Sequence, residues 1–306
     1  MARAASRTAG RWRVRGQVFQ EHYFHAKDGL KLYGRSYSVD NWRSHANTPV
    51  ICLPGLTRNS RDFHPLAVFL ASAAGGARPV IALDYRGRGQ SQRDDDKSRY
   101  TIAVEADDVI TACRYFGVQK AIFIGTSRGG LILHHLIGSA PALIAGAILN
   151  DIGPVVEIGG LVRIRDYLNA ATAPDSWAAA PHYLQAIHGE DFPILRHEDW
   201  EDMAKAIYRD EGGVPITDFD PAIASQLQAL NADAVLSSLW PQFDAFAGLP
   251  MMVIRGQYSS LLSQTTVEEM VRRHPGLVTT TATGQGHAPL LHLDGLRHEI
   301  AAFIRG

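Results

Sequence analysis

The chain has 306 residues, 46% of them apolar and 20% charged, with a formal net charge of −1. That composition is ordinary for a globular protein and long enough for one large α/β domain carrying an inserted segment. A near-neutral surface offers no broad field for nucleic acid or anionic membrane, and no apolar run is long enough to span a bilayer.

The N-terminus is the local exception. Arg3, Arg7, Arg11, Arg13 and Arg15 occur there without an acid. Residues 1–16 read as a flexible basic tail or a non-native start; an Arg-rich, acid-poor organelle transit peptide is the alternative. Residues 17–25 and 30–37 are β-like and flank Asp28-Gly29, a hairpin signal. Buried strands are then expected over 50–53, 80–84, 121–126 and 143–149. Helices at 62–74, 101–116 and 128–139 separate most of them, the alternation of a largely parallel sheet with crossover helices. Residues 154–241 break this rhythm. They hold amphipathic helical pieces, several Trp and Tyr residues and Pro/Gly interruptions, with no convincing buried strand. They read as a helical insertion between two strands of one sheet. The strand pattern resumes at 251–255 and 278–283, with helices at 264–273 and 295–304. His182, His188 and His197 fall in the insertion at spacings that match no metal motif, and read as ordinary histidines. The only cysteines, Cys52 and Cys113, sit in an apolar strand and an apolar helix. They read as buried thiols, which fits a reducing cytoplasm.

Chemistry enters at Gly125-Thr126-Ser127-Arg128-Gly129, a G-x-S-x-G motif between the apolar strand 121–124 and the apolar helix 131–137. A serine hydroxyl is a weak nucleophile and must meet base and substrate together. A sharp strand-to-helix turn exposes it, small residues on both sides relieve the crowding, and the helix aims N–H groups at developing negative charge. Ser127 is therefore the candidate nucleophile. Leu53-Pro54-Gly55-Leu56 follows another buried strand. Its Gly55 permits close approach, so the N–H of Leu56 can pair with that of Arg128 as an oxyanion hole. His287, in the Gly-rich loop after the last strand, is the candidate base, since the triad histidine comes last on a sheet of this kind. His292 and His298 lie in or beside the last helix and fit less well.

These motifs together resemble the α/β-hydrolase superfamily, from Val18 to Ile304. The similarity is closest to its branch of esterases, lactonases and meta-cleavage-product C–C hydrolases. Leu53-Pro54-Gly55-Leu56 is similar to the oxyanion loop. Asp84-Tyr85-Arg86-Gly87-Arg88-Gly89-Gln90-Ser91 is similar to the D-x-R-G-x-G-x-S segment, and Gly286-His287-Ala288-Pro289 to the G-H-x-P segment. The resemblance implies an α/β-hydrolase fold: a mostly parallel central sheet flanked by helices, with a helical cap inserted at 154–241 into a core of 17–153 and 242–306. It also implies a departure. The family's acid usually follows the strand after the cap, where this chain reads Arg255-Gly256-Gln257-Tyr258-Ser259-Ser260-Leu261-Leu262-Ser263, with Ser260 at the expected position and no Asp or Glu. Asp151, just past the strand after the elbow, is the alternative acid. It either completes the triad or only braces the start of the cap. Ser260 standing in for an aspartate is the third option.

The expectation is a serine hydrolase of a carboxylic ester or lactone, working through an acyl-enzyme on Ser127. A meta-cleavage-type C–C hydrolase, or a weakened ligand-binding member of the fold, are the alternatives. No phosphate-cradling or dinucleotide motif occurs, so no cofactor and no metal are expected. The partner expected is a small ester-like molecule, with the protein a monomer or homodimer.

Overall fold

The computed structural model describes residues 18–37, 47–170, 173–228, 236–293 and 295–306; the basic tail, 1–16, lies outside them. Eight strands form one sheet in the order β1-β2-β4-β3-β5-β6-β9-β10. β1 (Gln20–His25) and β2 (Lys31–Tyr37) form an antiparallel hairpin, and β2 runs antiparallel to β4 (Val80–Asp84). From β4 onward every pair is parallel: β3 (Val50–Leu53), β5 (Ala121–Thr126), β6 (Ile144–Asn150), β9 (Met251–Gly256) and β10 (Val278–Ala282). The central strands are apolar on both faces, as helices on both sides require. Ile51, Leu53, Phe123 and Val253 face α2 (Ile102–Phe116) and α3 (Arg128–Ser139). Val50, Cys52, Ile124 and Ile254 face α1 (His64–Ala71) and α10 (Leu296–Arg305). Cys52 and Cys113 are buried free thiols within these layers.

The strand order reverses at β3. The chain steps to β4 on one side, then returns to β5 on the other. That switch point leaves a crevice at the carboxyl ends of β3 and β5, where open α/β sheets bind ligands. The loop after β3 carries Leu56, and the turn after β5 carries Ser127.

Between β6 and β9 the chain forms α4 (Ile158–Ala170), α5 (Ala180–His188), α6 (His197–Ile207), α7 (Pro221–Ser225) and α8 (Trp240–Asp244). It also forms a hairpin of β7 (Tyr208–Glu211) and β8 (Val214–Thr217), which the sequence reading did not anticipate. Its strands are four residues long, the first polar and the second interrupted by Pro215, so no sustained apolar run marks them. The missed signal is Gly212-Gly213, whose φ values of 62° and 89° suit a tight hairpin turn. Among the described residues no helix is long and apolar enough to cross a membrane.

His134, on the inner face of α3, is buried, with its Nδ1 2.8 Å from the Gly130 carbonyl oxygen. Burial pulls its pKa from 6.5 down to about 4. Between these values the unfolded chain binds a proton that the folded chain refuses. The stabilisation is full above the unfolded pKa and lost as pH falls through the window toward the folded one. Urea unfolding at pH 5 is therefore expected to give a stability lower than at pH 7, with about 2 kcal/mol traceable to this side chain. His134→Leu is expected to flatten the pH dependence by that amount; an unchanged slope would refute the assignment.

Candidate active site

Ser127 sits at the turn between β5 and α3 with φ 50° and ψ −112°, a backbone conformation that non-glycine residues rarely adopt. Small neighbours make the turn possible. A Cβ on Gly125 would come within 2.7 Å of the Gly129 backbone, and one on Gly129 within 2.2 Å of the Leu53 carbonyl oxygen. Gly130 is equally confined, its missing Cβ falling 2.2 Å from Ile152 Cγ2. The elbow is thereby pressed directly against the end of β3 and the segment after β6.

β6 lies between β5 and β9, so the residue after it is flanked by both. That residue is Asp151, fully buried and with φ 55°. Asp is among the few residues that tolerate this left-handed region. Its N–H donates to the Ile254 carbonyl at 2.7 Å, and its Oδ1 accepts from the Gly256 N–H at 2.7 Å. Its other oxygen, Oδ2, is 2.8 Å from His287 Nδ1, and His287 Nε2 is 2.9 Å from Ser127 Oγ. With the Nδ1 proton on the aspartate side, Nε2 is free to accept from the serine hydroxyl.

The loop holding His287 is tied to its surroundings from several sides. Asn150 Nδ2 donates to the Pro289 carbonyl at 3.0 Å. Gln285 Oε1 accepts from the Leu290 N–H at 2.8 Å, and the Gln285 carbonyl accepts from the Tyr258 N–H at 3.0 Å. A Cβ on Gly256 would fall 2.4 Å from the Gly286 carbonyl oxygen, so β9 and this loop pack backbone to backbone. Ser260 is placed elsewhere. Its carbonyl backs onto Gly160 of α4, where a Cβ would come within 2.5 Å of it. No hydrogen bond links Ser260 to His287 among the described residues, and the adjacent Ser259 Oγ accepts from the N–H groups of Leu261 and Leu262.

Leu56 borders the cavity at Ser127, and Arg128 follows the serine directly in the chain. The position a Cβ would take on Gly55 is 3.9 Å from Ser127 Cβ, so the loop after β3 passes directly beside the serine. Among the described residues no acceptor takes the N–H of Leu56 or of Arg128. Both are joined by a buried charge network that the sequence reading missed. Glu105, in the first turn of α2 and fully buried, accepts from Arg88 Nη1 at 2.6 Å and from Arg128 Nε at 2.5 Å. Arg88 Nε in turn donates to the Leu56 carbonyl at 2.8 Å, and Arg128 Nη2 to the Tyr100 carbonyl at 3.0 Å. One carboxylate thus ties Arg128 directly, and Leu56 through Arg88, into one network. The neighbouring Arg86 is anchored separately, to Asp108, Asp94 and Asp28. Asp84 accepts from the N–H groups of Ser60 and Gln90, tying the turn after the Leu56 loop to the Asp84–Ser91 segment.

Above Ser127 and His287 lies a cavity of about 200 Å³. Its floor is the Leu56 loop and the ends of the strands. Its walls come mainly from the inserted segment, through residues such as Ile164, Tyr167, Leu184, Ile187, Met203 and Phe219. Of the three histidines noted in that segment, His188 borders this cavity, and His182 and His197 pack ring to ring 5.2 Å apart.

The chain is similar to known proteins. The chain is 32% identical over 256 residues to a 3-hydroxybutyrate-oligomer hydrolase of Cupriavidus necator, covering 81% of this chain and 85% of that protein. It is 26% identical over 235 residues to a 2-(acetamidomethylene)succinate hydrolase of Mesorhizobium japonicum, covering 76% and 79%. A crystal structure of an α/β hydrolase from Novosphingobium aromaticivorans superposes with a TM-score of 0.85 at 35% identity, covering 94% of this chain and 98% of that one. Residues 48–285, from the strand that leads to Leu56 to the loop that leads to His287, match the alpha/beta hydrolase fold family, and the chain belongs to it.

Proposed function

We propose that this protein is a serine hydrolase of carboxylic esters. Ser127 is the nucleophile, His287 the general base and Asp151 the carboxylate that orients it; the N–H groups of Leu56 and Arg128 hold the oxyanion. The observation that carries this reading is the position of His287, whose two ring nitrogens lie 2.9 Å from Ser127 Oγ and 2.8 Å from Asp151 Oδ2.

Ser127 Oγ attacks the ester carbonyl carbon while its proton passes to His287 Nε2. The carbonyl oxygen takes up negative charge between the two backbone donors. The C–O bond to the alcohol then breaks, and the alcohol leaves with the proton from His287. Water, deprotonated by the same nitrogen, attacks the acyl-enzyme, and the acid departs as Ser127 regains its proton. Residues 154–241 act as a lid whose apolar wall excludes bulk water and shapes the pocket. The small cavity and the relative that hydrolyses 3-hydroxybutyrate oligomers support short hydroxy-acid esters as the substrates.

A fluorophosphonate probe tests the assignment. It is expected to label the folded protein at Ser127, located by peptide mass spectrometry, to leave Ser127→Ala unlabelled, and to abolish turnover of short acyl esters in step with labelling. A folded protein that resists the probe would refute the reading.

A further inference from the structure

The cavity above Ser127 is walled mainly by hydrocarbon and aromatic side chains, with one concentrated exception. Among the described residues, Arg58 is the only Lys or Arg that lines it, and Asp62 the only carboxylate. Arg58 lies two residues beyond Leu56, and its N–H closes a turn onto the Gly55 carbonyl at 3.3 Å. Its Cγ is 3.6 Å from the point where a Cβ on Gly55 would stand, the same point that lies 3.9 Å from Ser127 Cβ. The guanidinium therefore begins its reach beside the serine.

Its hydrogen bonding is lopsided. Nε and Nη2 both donate to a single oxygen, Asp62 Oδ1, at 3.0 and 2.6 Å. Nη1 has no hydrogen-bond partner among the described residues, and the side chain keeps 23% of its surface exposed. A planar guanidinium with an open edge is matched to a planar carboxylate. Arg58 also borders a second cavity lined by Asp199 and Asp202, but neither is hydrogen-bonded to it among the described residues. His188 is pushed down to about 4 by burial and by the Arg58 charge, so at neutral pH it adds no second cation. Tyr167 and Tyr208 feel the same charge and are kept protonated by burial, so no tyrosinate competes with an incoming anion. A single cation, already partly neutralised by Asp62, in an otherwise apolar pocket fits a monoanion better than a phosphate dianion.

Taking the ester-hydrolase reading as its basis, we infer that Arg58 is a specificity-determining residue that binds a carboxylate on the substrate, a few bonds from the ester that Ser127 attacks. Asp62 holds the guanidinium in place and competes for it. The preferred substrates are then short aliphatic esters that carry a free carboxylate, and neutral esters of the same size are poorer.

The test compares 3-butanoyloxybutanoate with its uncharged primary amide. Each has one ester and nearly the same shape, and turnover of each is followed by release of butanoate. Wild-type protein is expected to favour the carboxylate in kcat/KM by about tenfold or more, mostly through KM. Arg58→Gln is expected to collapse that ratio toward one, and Arg58→Lys to retain part of it. Asp62→Asn, which removes the competing carboxylate, is expected to raise the ratio. A merely structural role for Arg58 would lower both substrates together and leave the ratio intact, and that result would overturn the inference. So would a wild-type ratio near one, or an Asp62→Asn ratio that falls. Failure of the underlying reading is separable: labelling of Ser127 by fluorophosphonate without a charge preference removes only the role of Arg58, whereas absence of labelling removes both.

Discussion

Replacing Asp151 by asparagine is expected to lower kcat on a good ester substrate by about 10⁴ while leaving the protein folded. The side chain keeps its size, and its Oδ1 can still accept from the Gly256 N–H. What changes is the atom 2.8 Å from His287 Nδ1. An amide nitrogen there donates, so Nδ1 must accept and the ring proton moves to Nε2. That nitrogen then faces Ser127 Oγ as a donor and cannot take the hydroxyl proton. The imidazolium formed during acylation also loses the fully buried carboxylate that is its counter-charge. Ser260→Asp provides the contrast, because Ser260 packs toward Gly160 with no hydrogen bond to His287. It is expected to change kcat by less than about threefold in the wild-type background. Activity of Asp151→Asn within tenfold of wild type, or a hundredfold gain from Ser260→Asp, would move the acid away from Asp151.

The difference between these two positions marks where local sequence stops being informative. Ser127 and His287 each sit in a short motif whose residue types follow from local backbone demands, such as the glycines that let the elbow press on β3. Asp151 and His287 are 136 residues apart and meet only because β6 lies between β5 and β9 in the sheet. The sequence left Asp151 and Ser260 both open as acids because that placement is topological. The parallel strands were legible from their apolar runs, which must cover both faces of the sheet. The β7–β8 hairpin was not, because one short strand is polar, the other carries a proline, and only Gly212-Gly213 marks the turn. Arg58 and Glu105 were also invisible. A charge in a loop or a helix normally faces water; Arg58 pairs with Asp62 four residues on, as an ordinary surface pair would, and the arginines that meet Glu105 come from other chain segments. Glu105 reads as the solvated face of α2 yet is fully buried between two arginines.

Glu105→Gln is expected to be the next most damaging change, although Glu105 never touches the substrate. It is expected to reduce kcat by about 10²–10³, the range seen when one oxyanion donor is lost, with KM little altered. The carboxylate holds Arg88 at 2.6 Å and Arg128 at 2.5 Å. Arg88 grips the Leu56 carbonyl, and Arg128 begins the helix behind Ser127. Glutamine can accept from one arginine, but its amide nitrogen opposes the other, and two buried guanidinium groups are left without a counter-charge. The N–H groups of Leu56 and Arg128, the proposed oxyanion donors, then lose the brace that fixes their separation. Breaking a buried ion pair from one side also costs stability, about 3–5 kcal/mol, so unfolding by urea must be measured alongside. Stability alone does not distinguish a positioning role from a structural one; affinity for a transition-state mimic does. A boronic acid that forms a tetrahedral adduct on Ser127 is expected to bind about 10²-fold more weakly to the variant, while binding of the product acid changes little. Arg88→Lys, which keeps the charge but cannot reach both Glu105 and Leu56 with a planar fork, is expected to show the same pattern at smaller size. Equal weakening of boronate and product, or full kcat in a folded Glu105→Gln protein, would reduce the network to a structural brace.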